Sequence, residues 1–228
     1  MWRKWCGGLL LVAALMVMGP AHAHRRYFTF TYDWFTPARN EKEMEVWWTQ
    51  ERAGKVDGWL EFEYGLTDRW VIAPYLLTER EHGGTWDVNG WKLEQRYRLG
   101  SFKERRLLPA LYLEVKKENS EPYELEGKII TSFVTPRWVL SSNLILEQEL
   151  TDGEPMEWGY ATGISTIRGR GLRAGAELFG SFTKREHYAG PMLAYSLGSS
   201  THMLLTTGLG LNHNSEAKVR LVFEKEWR

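Results

Sequence analysis

The carboxylates Glu61 and Glu63 stand two residues apart in "EFEYGLTDRW" (61–70) and are the first side chains with obvious chemical potential. A pair of carboxyl groups about 5–9.5 Å apart can hydrolyse a glycoside if a sugar binds between them. Alternate residues of a single strand reach that separation by geometry alone, so the pair does not by itself indicate a hydrolase. Nucleophilic chemistry has less support. His82, His187, His202 and His213 have no serine at a suggestive spacing on a shared strand face. The run Ser200-Thr201-His202 falls in an expected tight turn, where hydroxyl residues serve turn geometry. His213 is a single imidazole between Asn212 and Asn214. Met192 and Met203 are soft copper donors in principle, but methionine is also ordinary in apolar strands. Gly208 and Gly210 alternate within a strand pattern and do not open a helix, so they read as packing or bending positions. No catalytic group, cofactor or metal site is expected.

What recurs is charge with a period of two. In "WKLEQRYRL", Trp91, Leu93, Gln95, Tyr97 and Leu99 share one face, and Lys92, Glu94, Arg96 and Arg98 share the other. "YLEVKKE", "YELEGKIITSF" and "AKVRLVFEKEW" repeat the theme. No sustained 3.6-residue stripe follows the first two dozen residues, so the chain is all-β. Twelve strands are expected, at about 43–52, 56–66, 70–81, 86–99, 108–118, 123–135, 137–151, 156–168, 172–184, 187–198, 202–212 and 216–227. Most run to about 10–14 residues, beyond the five or six usual in a globular protein and enough for a tilted crossing of a bilayer.

The connections sort into two sets. Those at "LTDR" (66–69), "TPR" (135–137), "RGRG" (168–171) and "GSST" (198–201) are tight, and "GSFKERRL" (100–107) is longer and basic. In an outer-membrane barrel the short turns and both termini lie on the periplasmic side. The other connections, such as "RAGK" and "HNSE", are short too and leave no large external lid.

The ends and composition bear on the compartment. Arg3 and Lys4, the apolar run 7–18, Gly19-Pro20 and Ala21-His22-Ala23 form a signal-peptide pattern over 1–23, too short for a membrane-spanning helix. Cys6, the one cysteine, lies inside it, so the rest of the chain has neither a disulfide framework nor a thiolate zinc site. Basic and acidic residues balance at 29 each, which does not favour nucleic acid. The 12 tryptophans and 10 tyrosines suit either a membrane interface or a sugar-binding cleft.

"YGLTDRW" (64–70) resembles the periplasmic turns of small Gram-negative outer-membrane β-barrel proteins, including uncharacterised families. The resemblance in strand layout extends over about 43–227. It implies a closed antiparallel transmembrane β-barrel over 42–228, located in the outer membrane, in contact with its lipid and inserted by the barrel-assembly machinery. Such barrels often end in alternating apolar residues and a terminal aromatic. Val219, Leu221, Phe223 and Trp227 fit, while Lys225 and Arg228 depart from the pattern.

In a barrel, Phe62, Tyr64 and Leu66 face lipid while Glu61 and Glu63 face inward. Glu61, Glu63, Arg96, Arg98, Glu114 and Glu126 are the candidate lumen-lining residues. Both signs of charge are present, and a lumen of twelve strands lies between the filled interior of about 8 and the open channel of about 16–18. The reading is a narrow, weakly selective channel for ions or small polar solutes. Two alternatives stand beside it: a plugged barrel with a structural or binding role, and a soluble periplasmic β-sandwich that binds carbohydrate. "VIAPYLL" (71–77), where alternation of polarity is lost, favours the sandwich. The aromatic, basic segment 24–41 is expected to be an N-terminal extension or a plug.

Overall fold

The computed structural model describes residues 26–167 and 171–227. The expected signal peptide, and most of the expected turn at 168–171, lie outside those residues.

The strands are β1 (Lys42–Glu51), β2 (Val56–Gly65), β3 (Trp70–Arg80), β4 (Asp87–Arg98), β5 (Leu107–Glu118) and β6 (Tyr123–Val134). They continue as β7 (Trp138–Glu149), β8 (Glu157–Thr166), β9 (Leu172–Ser181), β10 (Glu186–Ser196), β11 (Thr201–Gly210) and β12 (Lys218–Trp227). All pair antiparallel with their sequence neighbours. The ring closes where β1 meets β12, in register from Lys42 opposite Trp227 to Glu51 opposite Lys218. Closure leaves no unpaired edge, the condition for a sheet to reside in hydrocarbon. It also overturns the β-sandwich alternative, which needs two separate sheets.

Period-two alternation decides which residues meet lipid. On β1, Glu43, Glu45, Trp47 and Thr49 are buried inside, and Val46 between them is exposed. On β2, Glu61 and Glu63 are buried while Leu60 and Phe62 are exposed. Leu76, Trp91, Leu111, Ile129, Leu144, Ile164, Leu178, Leu193 and Leu205 carry the outward apolar face on around the ring. β3 explains its anomalous stretch. Val71, Ala73, Tyr75 and Leu77 point inward, and Pro74 and Leu76 point outward, so the geometric alternation persists while both faces are apolar. Ala73, Tyr75 and Leu77 pack together against Trp59.

β12 carries the other irregularity. Lys225 has the outward phase of Phe223 and Trp227, yet it is buried because its ammonium bends to Ser200 Oγ (2.9 Å) and Thr201 Oγ1 (3.3 Å) at the β10–β11 turn. Long basic side chains near a membrane surface often take this bent form. Trp227 packs on Phe62 with ring centroids 5.8 Å apart.

Much of the interior is apolar, which the charged lumen expected from the sequence does not anticipate. Leu108, Ala110, Ile130, Val134, Val139, Met192, Ala194, Leu204 and Val222 point inward and form one core with Phe28, Tyr32 and Trp34. Those three aromatics belong to the segment before β1.

Candidate functional site

Residues 26–36 run as a loop inside the barrel. At its start, Arg26 bonds Glu45 (3.2 Å), its backbone N–H reaches Glu224 (3.3 Å), and its carbonyl accepts from Arg173 (2.8 Å). Tyr27 N–H donates to Asp33 (3.2 Å) and the Tyr27 and Phe35 rings lie 5.6 Å apart, so the two limbs run side by side. Past the loop, Asn40 N–H bonds Gly65 carbonyl (2.9 Å) and Arg39 N–H bonds Asp68 (3.2 Å), both at the β2–β3 connection. The loop therefore turns back on itself and leaves at the end that carries the even-to-odd turns.

No ladder pairs this backbone, so lumen side chains must satisfy it. Glu177 on β9 caps the tip. One of its oxygens accepts Thr29 N–H (2.9 Å) and the hydroxyls of Thr29 (3.0 Å) and Thr206 (2.7 Å). Its other oxygen accepts Phe30 N–H and Thr31 N–H, each at 2.8 Å. Three successive backbone donors converging on one carboxylate form an anion-binding nest. Asn143 on β7 acts as an edge-strand mimic, accepting Tyr32 N–H (2.7 Å) and donating to Tyr32 carbonyl (2.8 Å). Ser132 on β6 accepts Trp34 N–H (2.9 Å).

Packing completes the seat. A Cβ on Gly163 would lie 2.4 Å from the Phe28 ring, so glycine is what lets that ring reach the β8 wall. Phe30 stacks on Phe179 at 3.9 Å between centroids. Arg26 is buried, with its guanidinium paired to Glu45 and lying over the Tyr32 and Trp47 rings, 4.9 and 4.3 Å from their centres. Burial, with Glu94 adding to it, pushes the Tyr32 hydroxyl well up, so Tyr32 is a neutral donor to Glu94 (2.9 Å).

The six candidate lumen residues divide into two groups and an outlier. Glu61, Glu63 and Arg96 share a buried network with the loop. Glu61 accepts Trp47 Nε1–H (3.0 Å), Arg96 pairs with Glu63, and Arg96 Nε lies 2.6 Å from Glu94. Carboxylate oxygens of Glu45, Glu61 and Glu63 lie within 4.8 Å of one another. Glu114 and Glu126 stand higher in the barrel, paired with Lys92 (2.8 Å) and Lys128 (2.7 Å). Arg98 is apart from both, near the β4–β5 connection with its guanidinium 4.7 Å from the Trp34 ring centre.

Above the loop the lumen opens as a cup of about 400 Å³. Phe30, Tyr32, Trp47 and Trp59 line it, with a rim of acidic and basic side chains that includes Glu51, Lys116, Glu124, Glu147, Glu157 and Lys184. One rung of the wall is unusual. Glu94, Glu114, Glu126, Glu147 and Glu157 are register partners on five successive strands. Like charges directly opposite destabilise a sheet, so the interleaved lysines are needed to hold this row.

Asn143, Ser132 and Gly163 are positions that hold the loop and that sequence reasoning passed over. All three have the inward phase of their strands, but a lone amide, hydroxyl or glycine gives no hint of a loop to bind. Ser196 and His202 were missed as a pair as well. They are cross-strand partners across the β10–β11 turn, with Ser196 Oγ 3.0 Å from His202 Nδ1. His202 Nε2 lies 4.0 Å from Glu226, and the imidazole is buried.

No protein-family model matches the chain, and no curated protein matches it. Solved structures do. A KdgM porin superposes with a TM-score of 0.65 at 8% identity, over 82% of this chain and 99% of the porin. An outer-membrane channel from Pseudomonas putida F1 gives 0.63 at 10% identity, over 88% of this chain and 100% of the other. The NanC porin gives 0.57 at 9% identity, over 82% and 100%. The closed ring of twelve antiparallel strands thus has the fold of outer-membrane β-barrel porins and channels.

Proposed function

We propose that the protein is an outer-membrane channel for ions or small polar solutes, and that loop 26–36 is its plug. The observation that carries this reading is the contrast between the two faces of one closed barrel. Outside, every side of the ring presents exposed Leu, Ile, Val or aromatic residues, a surface far larger than a soluble monomer leaves uncovered. Inside, charged side chains line a cup that leads down to a loop held by side-chain hydrogen bonds. A barrel with a purely structural role has no need of a removable filling. Here the filling is a separate segment with its own seat.

The seated loop, with the Arg26, Glu45, Glu61, Glu63 and Arg96 network beneath it, represents the closed state. Conduction then requires the loop to shift, exposing a polar lumen of intermediate width. Planar-bilayer recording from the refolded chain tests this. Full-length protein should open rarely, and a variant with the loop unseated should give frequent discrete steps. Silence from an unseated variant that has inserted in folded form would overturn the channel reading.

A further inference from the structure

The two ends of the barrel differ in charge. Among the described residues, the even-to-odd connections carry five cations and two carboxylates, whereas the odd-to-even connections carry four cations and five carboxylates. Lys42 and Trp227, where the ring of strands begins and ends, lie at the even-to-odd end, which is the periplasmic end of an outer-membrane barrel. The positive excess is local. Arg69 on the β2–β3 connection and Lys103, Arg105 and Arg106 on the β4–β5 connection supply four of the five cations. All four are exposed, and none has a carboxylate at ion-pair distance among the described residues. Their backbone is held in place. Arg98 N–H bonds the Arg69 carbonyl (2.8 Å), Arg105 N–H bonds the Val134 carbonyl (2.8 Å), and the Arg69 guanidinium reaches Ser101 Oγ (3.4 Å). The Phe102 ring centre lies 6.0 Å from those of both Trp34 and Phe35, which anchors the longer connection to the loop inside. Next to these connections, on the lipid side, β3, β4 and β5 form a groove of about 470 Å³. Trp70, Tyr97 and Leu111 are register partners in one row of its wall, and Gln95 and Leu113 are partners in the next. Gln95 is the odd member. It has the outward phase of Leu93 and Tyr97, and its amide meets no protein partner among the described residues. Three residues from the end of a tilted strand, it sits about 7 Å into the membrane, at the depth of glycerol esters.

We infer that this face binds one anionic phospholipid of the periplasmic leaflet. Its phosphate lies among Arg69, Lys103, Arg105 and Arg106, its glycerol esters meet Gln95, and an acyl chain fills the groove of Trp70, Tyr97, Leu111 and Leu113. Each feature alone is ordinary. Aromatic residues belt the membrane interface, and basic residues beside a membrane attract anionic headgroups. Here unpaired cations, an amide and an apolar groove follow one another in the order of a phospholipid's own parts. A zwitterionic headgroup brings its own ammonium and leaves the four cations short of counter-charge. A soluble phosphate leaves the amide and the groove unused. The inference draws on the barrel's place in the outer membrane and is independent of whether the channel opens.

Native mass spectrometry of the refolded protein, released from detergent micelles with added lipid, tests the site. The probes are dioleoyl phosphatidylglycerol, dioleoyl phosphatidylcholine and, as the soluble head alone, glycerol 3-phosphate. One phosphatidylglycerol should be retained about tenfold or more tightly than phosphatidylcholine, the scale expected when several basic residues face one anionic head. Glycerol 3-phosphate should not be retained. Arg105→Gln with Arg106→Gln should abolish the preference in protein whose heat-modifiable gel mobility stays wild-type. Arg69→Gln, which leaves the β4–β5 backbone untouched, should lower it about fivefold. Gln95→Leu should weaken phosphatidylglycerol, because leucine offers the esters no donor. Arg52→Gln with Arg185→Gln, exposed cations of the opposite rim, should change nothing. Equal retention of the two lipids, or a preference that survives loss of Arg105 and Arg106, would overturn the inference. So would an equal loss in the opposite-rim variant, or retention of glycerol 3-phosphate as tight as that of the lipid.

Discussion

Glu177 shows what a single residue does here. Its inward phase on β9 is legible in the sequence, where it reads as one more lumen charge. Its role is not legible, because the groups it binds are backbone N–H donors about 150 residues away, at Thr29, Phe30 and Thr31. Glutamine at this site keeps one acceptor oxygen and turns an NH2 group toward N–H donors. Hydrogen bonds to a charged group contribute about 1.5–3 kcal/mol each. Glu177→Gln should therefore weaken the seat by about 2 kcal/mol, or about thirtyfold in the closed-to-open ratio. Single-channel recording would show this as a higher open probability, and an unchanged open probability would remove Glu177 as the latch. Gly163→Ala tests the same seat by a different route. The added methyl meets the Phe28 ring, where overpacking costs about 1–3 kcal/mol. Alanine suits a strand at least as well as glycine, so heat-modifiable mobility on gels should stay wild-type while openings become more frequent.

At the scale of elements, strands and loop differed in how far the sequence could reveal them. The strands were readable to within a few residues because each must repeat an inward–outward alternation over a bilayer's width. β3 hid its alternation by placing Val71, Ala73, Tyr75 and Leu77 on the inner face, the last three beside Trp59. Lys225 broke the pattern of β12 for a local reason, the hydroxyls of the adjoining turn. Segment 26–36 offered no period to read, since its partners are single side chains spread over several strands and not one neighbouring ladder. A cysteine reporter can locate it, because the sequence outside 1–23 has no cysteine of its own. Phe30 lines the cup while Trp34 sits deep against Phe35 and the β4–β5 residue Phe102. In proteoliposomes, a charged thiol reagent added on the cup side should modify Phe30→Cys readily and Trp34→Cys slowly. Equal rates at the two positions would mean that the loop does not hold its seat in the membrane.

Considered as a whole molecule, the barrel puts unequal charge at different depths, and this bears on what it passes once open. Around the loop, Glu43, Glu45, Glu61, Glu63, Glu94, Glu177 and Glu224 are all buried inside, against Arg96, Arg173 and Arg220 from the strands and Arg26 from the loop itself. The cup above is more evenly matched, with lysines set among its row of glutamates. When the loop shifts it takes Arg26 away from Glu45 and removes the donors that Glu177 holds, while the strand carboxylates stay in place. Water must then enter, since charges of this density are not left dry without partners. The opened constriction should consequently favour cations, but mildly, because Arg96 remains beside Glu63 and Glu94 and the cup adds charges of both signs. A salt gradient across a bilayer holding the Gly163→Ala variant measures this as a small reversal potential of the sign set by cation flow. Replacing Glu61, which has no cation at ion-pair distance among the described residues, with glutamine should bring that potential closer to zero. A reversal potential of anionic sign, or one indifferent to Glu61→Gln, would mean that the pathway bypasses the carboxylates beneath the loop.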